Sequence, residues 1–363
     1  MTDQNKVSGK IINYNSSYVG DVYFSEKINE LKIKDSDDYN NIIIPGFIDL
    51  HCHGGNGFDV MEGLDSIKNL SLYHLFKGTT SLLATTWTSS FNHTYEALSG
   101  FERLINSESN LIGVHLEGPF INPDKLGAQP PLTQKPSLEF IEKITSLADI
   151  KTITVAPEIE GMNEFIPYLI DKKIKVQFGH SLANYSCCSN FMNNFVIGFT
   201  HLYNAMSGNE TRNPGVLSAA LEKGEYAEII CDLNHVSEQS IKIASKCIPN
   251  LYAVSDCIGA AGLEDGNYKF ANADITKKND KVMLIDSQTL AGSTIDMHKT
   301  FLNLLKIDYS LEQAVAMTSY HASKYLNLED IGMIKEGYKS NFVILDKNFN
   351  IKEVFLNGRK IIK

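Results

Sequence analysis

Residues 41–54, NIIIPGFIDLHCHG, form an apolar run rich in β-branched residues, broken once at Pro45-Gly46, that ends on His51 and His53. A short run of this kind reads as a strand buried on both faces, the sort found in parallel sheets. The texture recurs seven times downstream, in TTSLLATTW (79–87), NLIGVHLE (110–117), KTITVAPE (151–158), KIKVQFGH (173–180), FVIGFTH (195–201), YAEIICDLNH (226–235) and LYAVSD (251–256). Amphipathic segments lie between the runs, among them DSIKNLSLYHLFKG (65–78), TYEALSGFERLIN (94–106), SLEFIEKITSLA (137–148) and NEFIPYLIDKK (163–173). Eight strand–helix units on a scale of ~250 residues or more predict an α/β protein built as a (β/α)8 TIM barrel. The letters themselves do not repeat; only the texture does. A doubly wound open sheet is the alternative, but no G-x-G-x-x-G follows the first run.

Outside this region the pattern changes. KIINYNSSYVGDVYFSEKINELKIKD (10–35) and GYKSNFVILDKNFNIKEVFLNGRKIIK (337–363) consist of short alternating runs broken by Gly, Asn and Asp, the pattern of antiparallel strands. Asn357-Gly358 is a hairpin signal. Two β-rich ends around a different middle predict a small β-sandwich domain from residues 1–44 plus 336–363, with the barrel occupying 45–335.

The composition is that of a globular chain: 363 residues, 43% hydrophobic, formal charge −10 and mean hydropathy −0.15. No block of Lys and Arg stands out, which argues against nucleic acid or an anionic membrane as partner. Arg103, Arg212 and Arg359 are the only arginines, so one placed in a loop is a candidate for holding an anion. The polar start MTDQNKVSGK has no apolar segment behind it, and no window reaches the ~18 apolar residues of a membrane span. The six cysteines form no C-x-x-C pair, which fits small buried hydrophobes in a reducing, cytoplasmic setting.

The residues at the ends of the eight runs carry the chemistry: His51 and His53, Trp87, Glu117, Glu158, His180, His201, Asn234 with His235, and Asp256. The C-terminal ends of barrel strands converge on one mouth, where catalytic groups collect. One strand-end histidine is ordinarily a hydrogen-bonded core residue. Several imidazoles and two carboxylates sharing one mouth would be costly to desolvate unless something bound them, and a metal supplies the compensation. Imidazole with carboxylate suits Zn, Fe, Mn or Co better than Ca or Mg. Alternation along the first strand puts His51 and His53 on one face and turns Cys52 to the barrel wall. His115 lies two before Glu117, deeper on the same face, where packing is its default. Asp256 ends the last strand and is free to handle protons.

These residues also carry a resemblance. PGFIDLHCHG (45–54), HLEGPFINPDKLGA (115–128), GHS (179–181), THLYNAM (200–206), RNPG (212–215), DLNHV (232–236), SDCIGAAG (255–262) and LAGST (290–294) together resemble the amidohydrolase superfamily, and within it the N-acetylglucosamine-6-phosphate deacetylases. The succession HLEGPF, GHS, THLYNAM is far more specific than a lone H-x-H. The resemblance implies a divalent metal, zinc first, with Fe, Mn or Co as alternatives, held by Glu117, His180 and His201. Asp256 is then the general base and acid. His51 and His53 leave open a second metal bridged through Glu117, so one or two ions per subunit. Asn204, Ala205, Arg212 and His235 fall where the family binds the sugar phosphate, the last two by reaching across the interface of a homodimer. Many members carry a histidine where this chain has Gln129, whose amide donates a hydrogen bond but carries no proton.

The implied reaction is hydrolysis of the N-acetyl group of N-acetyl-D-glucosamine 6-phosphate, with the galactosamine epimer as the alternative substrate that Gln129 leaves open. A cyclic-amide hydrolase of the dihydroorotase kind would need a carboxylated lysine at the end of the fourth strand. That end reads VAPE and offers only Glu158, taken either as a support behind the ligands or as structural. A non-catalytic metal sensor is disfavoured because the three ligand positions and Asp256 are all present.

Overall fold

The computed structural model describes residues 5–106, 108–287 and 289–361. The two ends of the chain build one seven-stranded sheet. Asn5–Asn13 pairs antiparallel with Ser16–Phe24, which pairs with Ile28–Ile33. On its other side Asn5–Asn13 runs parallel to Ile42–Pro45, and the C-terminal strands Phe342–Leu345, Ile351–Leu356 and Arg359–Ile361 continue the sheet. The turn signal at Asn357-Gly358 is a two-residue hairpin with Leu356 opposite Arg359 and both turn residues at positive φ, 49° and 75°.

This sheet folds over on itself. The ring of Phe24 lies 4.9 Å from that of Phe342 and 5.2 Å from that of Phe355, although their strands stand three and four places away in the sheet. At about 4.8 Å per strand, a flat sheet would hold those rings well over 10 Å apart. The two halves therefore face each other as the layers of a sandwich do, enclosing Ile11, Val22, Phe24, Ile43 and Phe342.

The eight apolar runs become eight parallel strands: Phe47–Cys52, Thr79–Thr86, Leu111–Glu117, Ile150–Val155, Lys175–Phe178, Gly198–Phe199, Tyr226–Ile230 and Asn250–Val254. The first six form one curled sheet and the last two pair with each other. Two seams close the ring. Leu202 N–H donates to Glu228 O at 2.8 Å between strands six and seven, and Asp256 N–H donates to His51 O at 2.8 Å between strands eight and one. Closure is what brings residue 51 beside residue 256. The strands are buried nearly throughout, as parallel strands covered on both sides must be.

Helices cover the barrel where the amphipathic segments lie: Leu64–Phe76, Phe91–Leu98, Leu138–Thr145 and Met162–Asp171 among them. The second stops short of its expected end. Gly100 at φ 83° turns the chain into a separate 3-10 turn, Phe101–Leu104. One element was not anticipated: a three-stranded antiparallel insertion after the eighth strand, Gly266–Phe270, Ala273–Lys278 and Lys281–Leu284. Its turns fall at Ala271-Asn272 and Asn279-Asp280, all four residues at positive φ. Phe270, Ile275 and Val282 of the insertion pack against Met61 and Trp87, which sets Phe270 over one side of the mouth. Among the described residues no helix is long and apolar enough to cross a membrane.

Candidate active site

Five of the strand-end residues meet around the carboxylate of a sixth, Glu117. His180 Nε2 and His201 Nε2 each lie 3.0 Å from Glu117 Oε1 and 3.0 Å from each other. Three donor atoms at such separations are close to the ~3.3 Å edge of a tetrahedral shell with bonds of roughly 2 Å. The other carboxylate oxygen, Oε2, faces His53 Nε2 at 3.1 Å. His53 Nε2 lies 3.2 Å from His51 Nε2, and Asp256 Oδ1 lies 3.3 Å from His53 Nε2 and 3.5 Å from His51 Nε2. Glu117 thus stands between two groups of ligand atoms, His180 with His201 on one side and His51 with His53 on the other.

The backbone aims these groups. Just beyond their strands, His180, His201 and Asp256 take positive φ values of 48°, 28° and 48°, a conformation uncommon outside glycine. Such strain gathers at functional sites, where the surrounding packing holds it. Gly118, at φ 77°, leads the chain out of the third strand after Glu117, and a Cβ there would collide with Thr88 Oγ1.

The hydrogen bonds on the far sides of the rings decide whether these groups suit a metal. His180 Nδ1 lies 2.8 Å from Lys125 O and His53 Nδ1 lies 3.1 Å from Thr85 O. A carbonyl only accepts, so both Nδ1 atoms carry the proton, and in the neutral rings each Nε2 lone pair points inward. His51 is held the same way, its Nδ1 donating to Glu228 Oε2 at 2.8 Å. Lone pairs of several imidazoles aimed at one another and at a carboxylate repel unless a cation lies among them. The residues fit a divalent ion, with Nδ1 anchors of the kind that orient metal-bound histidines.

Without an ion, the same carboxylates favour protons on two of the rings. Burial opposes charge on Glu117, but His51, His180 and His201 outweigh it and hold its carboxyl well below the usual range. Asp256 is likewise lowered, its burial overcome by His51 and His53. Burial also opposes charge on the rings, yet Asp256 and Glu117 push His53 up to about 9, and Glu117, Glu228 and Asp256 raise His51 well above its ordinary value. Three buried carboxylates make a mouth that calls for positive charge.

The remaining sequence candidates are placed as follows. Asn204 and Ala205 line the cleft of about 390 Å³ that opens over Glu117, as does His235. His235 lies in the cleft of its own chain. There its Nδ1 pairs with Asp232 Oδ2 at 2.8 Å, and Asp232 and Asp256 raise its pKa against the effect of burial. Arg212 sits exposed on the loop before the helix Val216–Lys223 and is not part of the lining. Gln129 also lines the cleft, close to Glu117. Glu158 accepts from Asn122 Nδ2, Ser181 Oγ and the Leu182 N–H, a structural set of bonds. Cys52 turns outward to His74 Nε2 at 3.1 Å, and His115 is bonded to Leu50 O and Thr154 Oγ1.

Glu228 was missed. It is fully buried in the seventh strand, holding His51 with one oxygen and accepting from Gln177 Nε2 at 2.9 Å with the other. An acid in the middle of the apolar run YAEII was the available signal.

Residues 42–361 match the model of the amidohydrolase family. The chain is 33% identical over 327 residues to an N-acetylglucosamine-6-phosphate deacetylase of Bacillus subtilis, covering 86% of this chain and 82% of that one. It is 27% identical over 329 residues to an N-acetylgalactosamine-6-phosphate deacetylase of Escherichia coli O157:H7, covering 88% and 87% of the two chains. The crystal structure of N-acetylglucosamine-6-phosphate deacetylase from Thermotoga maritima superposes with a TM-score of 0.92 at 30% identity, covering 99% of this chain and 100% of that one.

Proposed function

The chain belongs to the amidohydrolase family, and from that membership we propose that it is a metal-dependent deacetylase of N-acetyl-D-glucosamine 6-phosphate, releasing acetate and D-glucosamine 6-phosphate. The observation that carries the reading is the anchoring of His180 Nδ1 and His53 Nδ1 on the carbonyls of Lys125 and Thr85, which turns both Nε2 atoms toward the carboxylate of Glu117. When bound by Glu117, His180 and His201, a divalent ion supplies Lewis acidity that polarises an amide carbonyl and lowers the pKa of a water to roughly 7. Two imidazoles and one carboxylate favour zinc for this place.

Asp256 takes the proton of the attacking water on Oδ1 and returns it to the amide nitrogen as the C–N bond breaks. The return matters because an amine anion is a very poor leaving group. Its carboxyl is held ionised by His51 and His53, so it is ready to accept. Phe270 covers the His53 side of the mouth, its ring 5.7 Å from the imidazole, and excludes water from that flank. Asn204, Ala205 and His235 sit on the rim where the sugar phosphate docks. Arg212, exposed and outside its own cleft, serves the phosphate in the cleft of a second copy, which makes the working unit a homodimer. The six free cysteines support a cytoplasmic setting.

The test is acetate release from N-acetylglucosamine 6-phosphate beside the unphosphorylated sugar and the galactosamine epimer. The phosphorylated gluco substrate turns over with a kcat/KM at least tenfold above both. Equal rates with and without phosphate would remove Arg212 and His235 from phosphate binding, and a faster galacto substrate would reassign the sugar.

A further inference from the structure

Gln129 is 8% exposed, and its amide is engaged at both ends. The Thr88 N–H donates to Gln129 Oε1 at 2.7 Å. A backbone N–H cannot accept, so the oxygen must face Thr88, which leaves Nε2 as the end that meets Glu117. It donates there to Oε2. Glu117 Oε1 is the atom shared by His180 and His201, whereas Oε2 is the atom facing His53. The oxygen nearest His53 therefore already accepts from Gln129, and the other, 3.6 Å from His51 Nε2, is the one shared by His180 and His201.

We infer that Gln129 is a positioning residue that dedicates Glu117 to a single ion, the one on His180 and His201, and keeps the His51–His53 place weak. An ion on Oε2 would crowd its positive charge against the amide N–H on the same oxygen. Gln129 cannot turn its own oxygen inward to help, because its NH2 would then face the Thr88 N–H and two donors would meet. The four groups around the second place, His51, His53, Glu117 Oε2 and Asp256, are thus one contact short of undivided use of Glu117. Loss of a partner that touches a ligand rather than the ion ordinarily lowers metal affinity by about 10–100-fold; at Gln129 the sign is reversed, because its N–H draws on the lone pairs of the oxygen that the second ion would use.

The inference rests on the metal reading above and not on the choice of substrate, so it is tested without substrate. The intact protein is stripped with a chelator and titrated with Zn2+ by calorimetry, then dialysed and its retained metal counted by mass spectrometry. The wild type retains one equivalent. Gln129→Met keeps the size and removes the donor; its second equivalent binds at least about tenfold more tightly while the first is unchanged. Gln129→Glu keeps an oxygen for the Thr88 N–H and places a second one where the NH2 was, and it retains two equivalents. A wild type that retains two ions of equal affinity would overturn the inference, and so would a Gln129→Met protein whose second ion binds no tighter. A general loosening of the fold weakens both ions together and counts against it in the same way. Failure of the deacetylase assay leaves these counts untouched, so the two readings fail separately.

Discussion

Asp256→Asn is expected to lower kcat by about 10²–10⁴-fold while the metal content stays at the wild-type level. The asparagine side chain has the same shape and still offers an oxygen at the position of Oδ1, so the packing around His51 and His53 persists. It cannot accept a proton at neutral pH. Asp256 lies outside the group formed by Glu117, His180 and His201, so the ion bound there is retained. Its carboxylate stands 3.3 Å from His53 Nε2 and 3.5 Å from His51 Nε2, at the end of the eighth strand, where it borders both the ligands and the cleft. Steady-state kinetics paired with metal analysis of the same sample separates the two effects. Turnover near the wild-type rate would remove Asp256 from proton transfer.

Glu117→Ala has the other large effect, and it differs in kind. Among the described residues, Glu117 touches both groups of imidazoles, through Oε1 at 3.0 Å from His180 and His201 and through Oε2 at 3.1 Å from His53. Its removal leaves two imidazoles as the ligands at the His180–His201 place and takes away one of the buried carboxylates that attract a cation. The expected result is loss of tightly held metal and a fall in activity beyond that of Asp256→Asn, with the fold retained. Metal analysis after gel filtration reads the first, and circular dichroism checks the last. A variant that keeps its metal would show that the ion sits elsewhere.

The part of this site that was legible in the sequence is the part that lies at strand ends. His51, His53, Glu117, His180, His201 and Asp256 each follow an apolar run, and a parallel barrel brings such positions together without further information. The two-residue period also placed Cys52 on the outer face, where it meets His74. Residues in loops were less legible. Gln129 lies 12 positions beyond Glu117 in a segment rich in proline and glycine, and its partner Thr88 comes from another strand-end loop. Nothing in the local pattern links them. Glu228 stood in plain view as an acid inside an apolar strand, but its partner His51 is 177 residues away and becomes its neighbour only when the barrel closes. The position of His235 beside Asp232 was not legible either, because it depends on a turn, with Leu233 at φ 65°, that the local pattern does not announce.

The fold shows the same division. The eight strands followed from composition and length, whereas ring closure depends on the Leu202–Glu228 and His51–Asp256 hydrogen bonds, which belong to tertiary geometry. The inserted three-stranded sheet had turn signals at Ala271-Asn272 and Asn279-Asp280, but its strands alternate weakly, with few buried positions. Its role in covering the His53 side of the mouth comes from packing against Trp87 and Met61, residues nearly two hundred positions earlier.

The most direct measurement is a back-titration of chelator-stripped protein with a divalent metal, following acetate release from N-acetylglucosamine 6-phosphate at each step. The expected result is no turnover in the stripped protein and a linear rise that levels off as the Glu117–His180–His201 place fills. Full turnover by protein shown to be free of metal would contradict it.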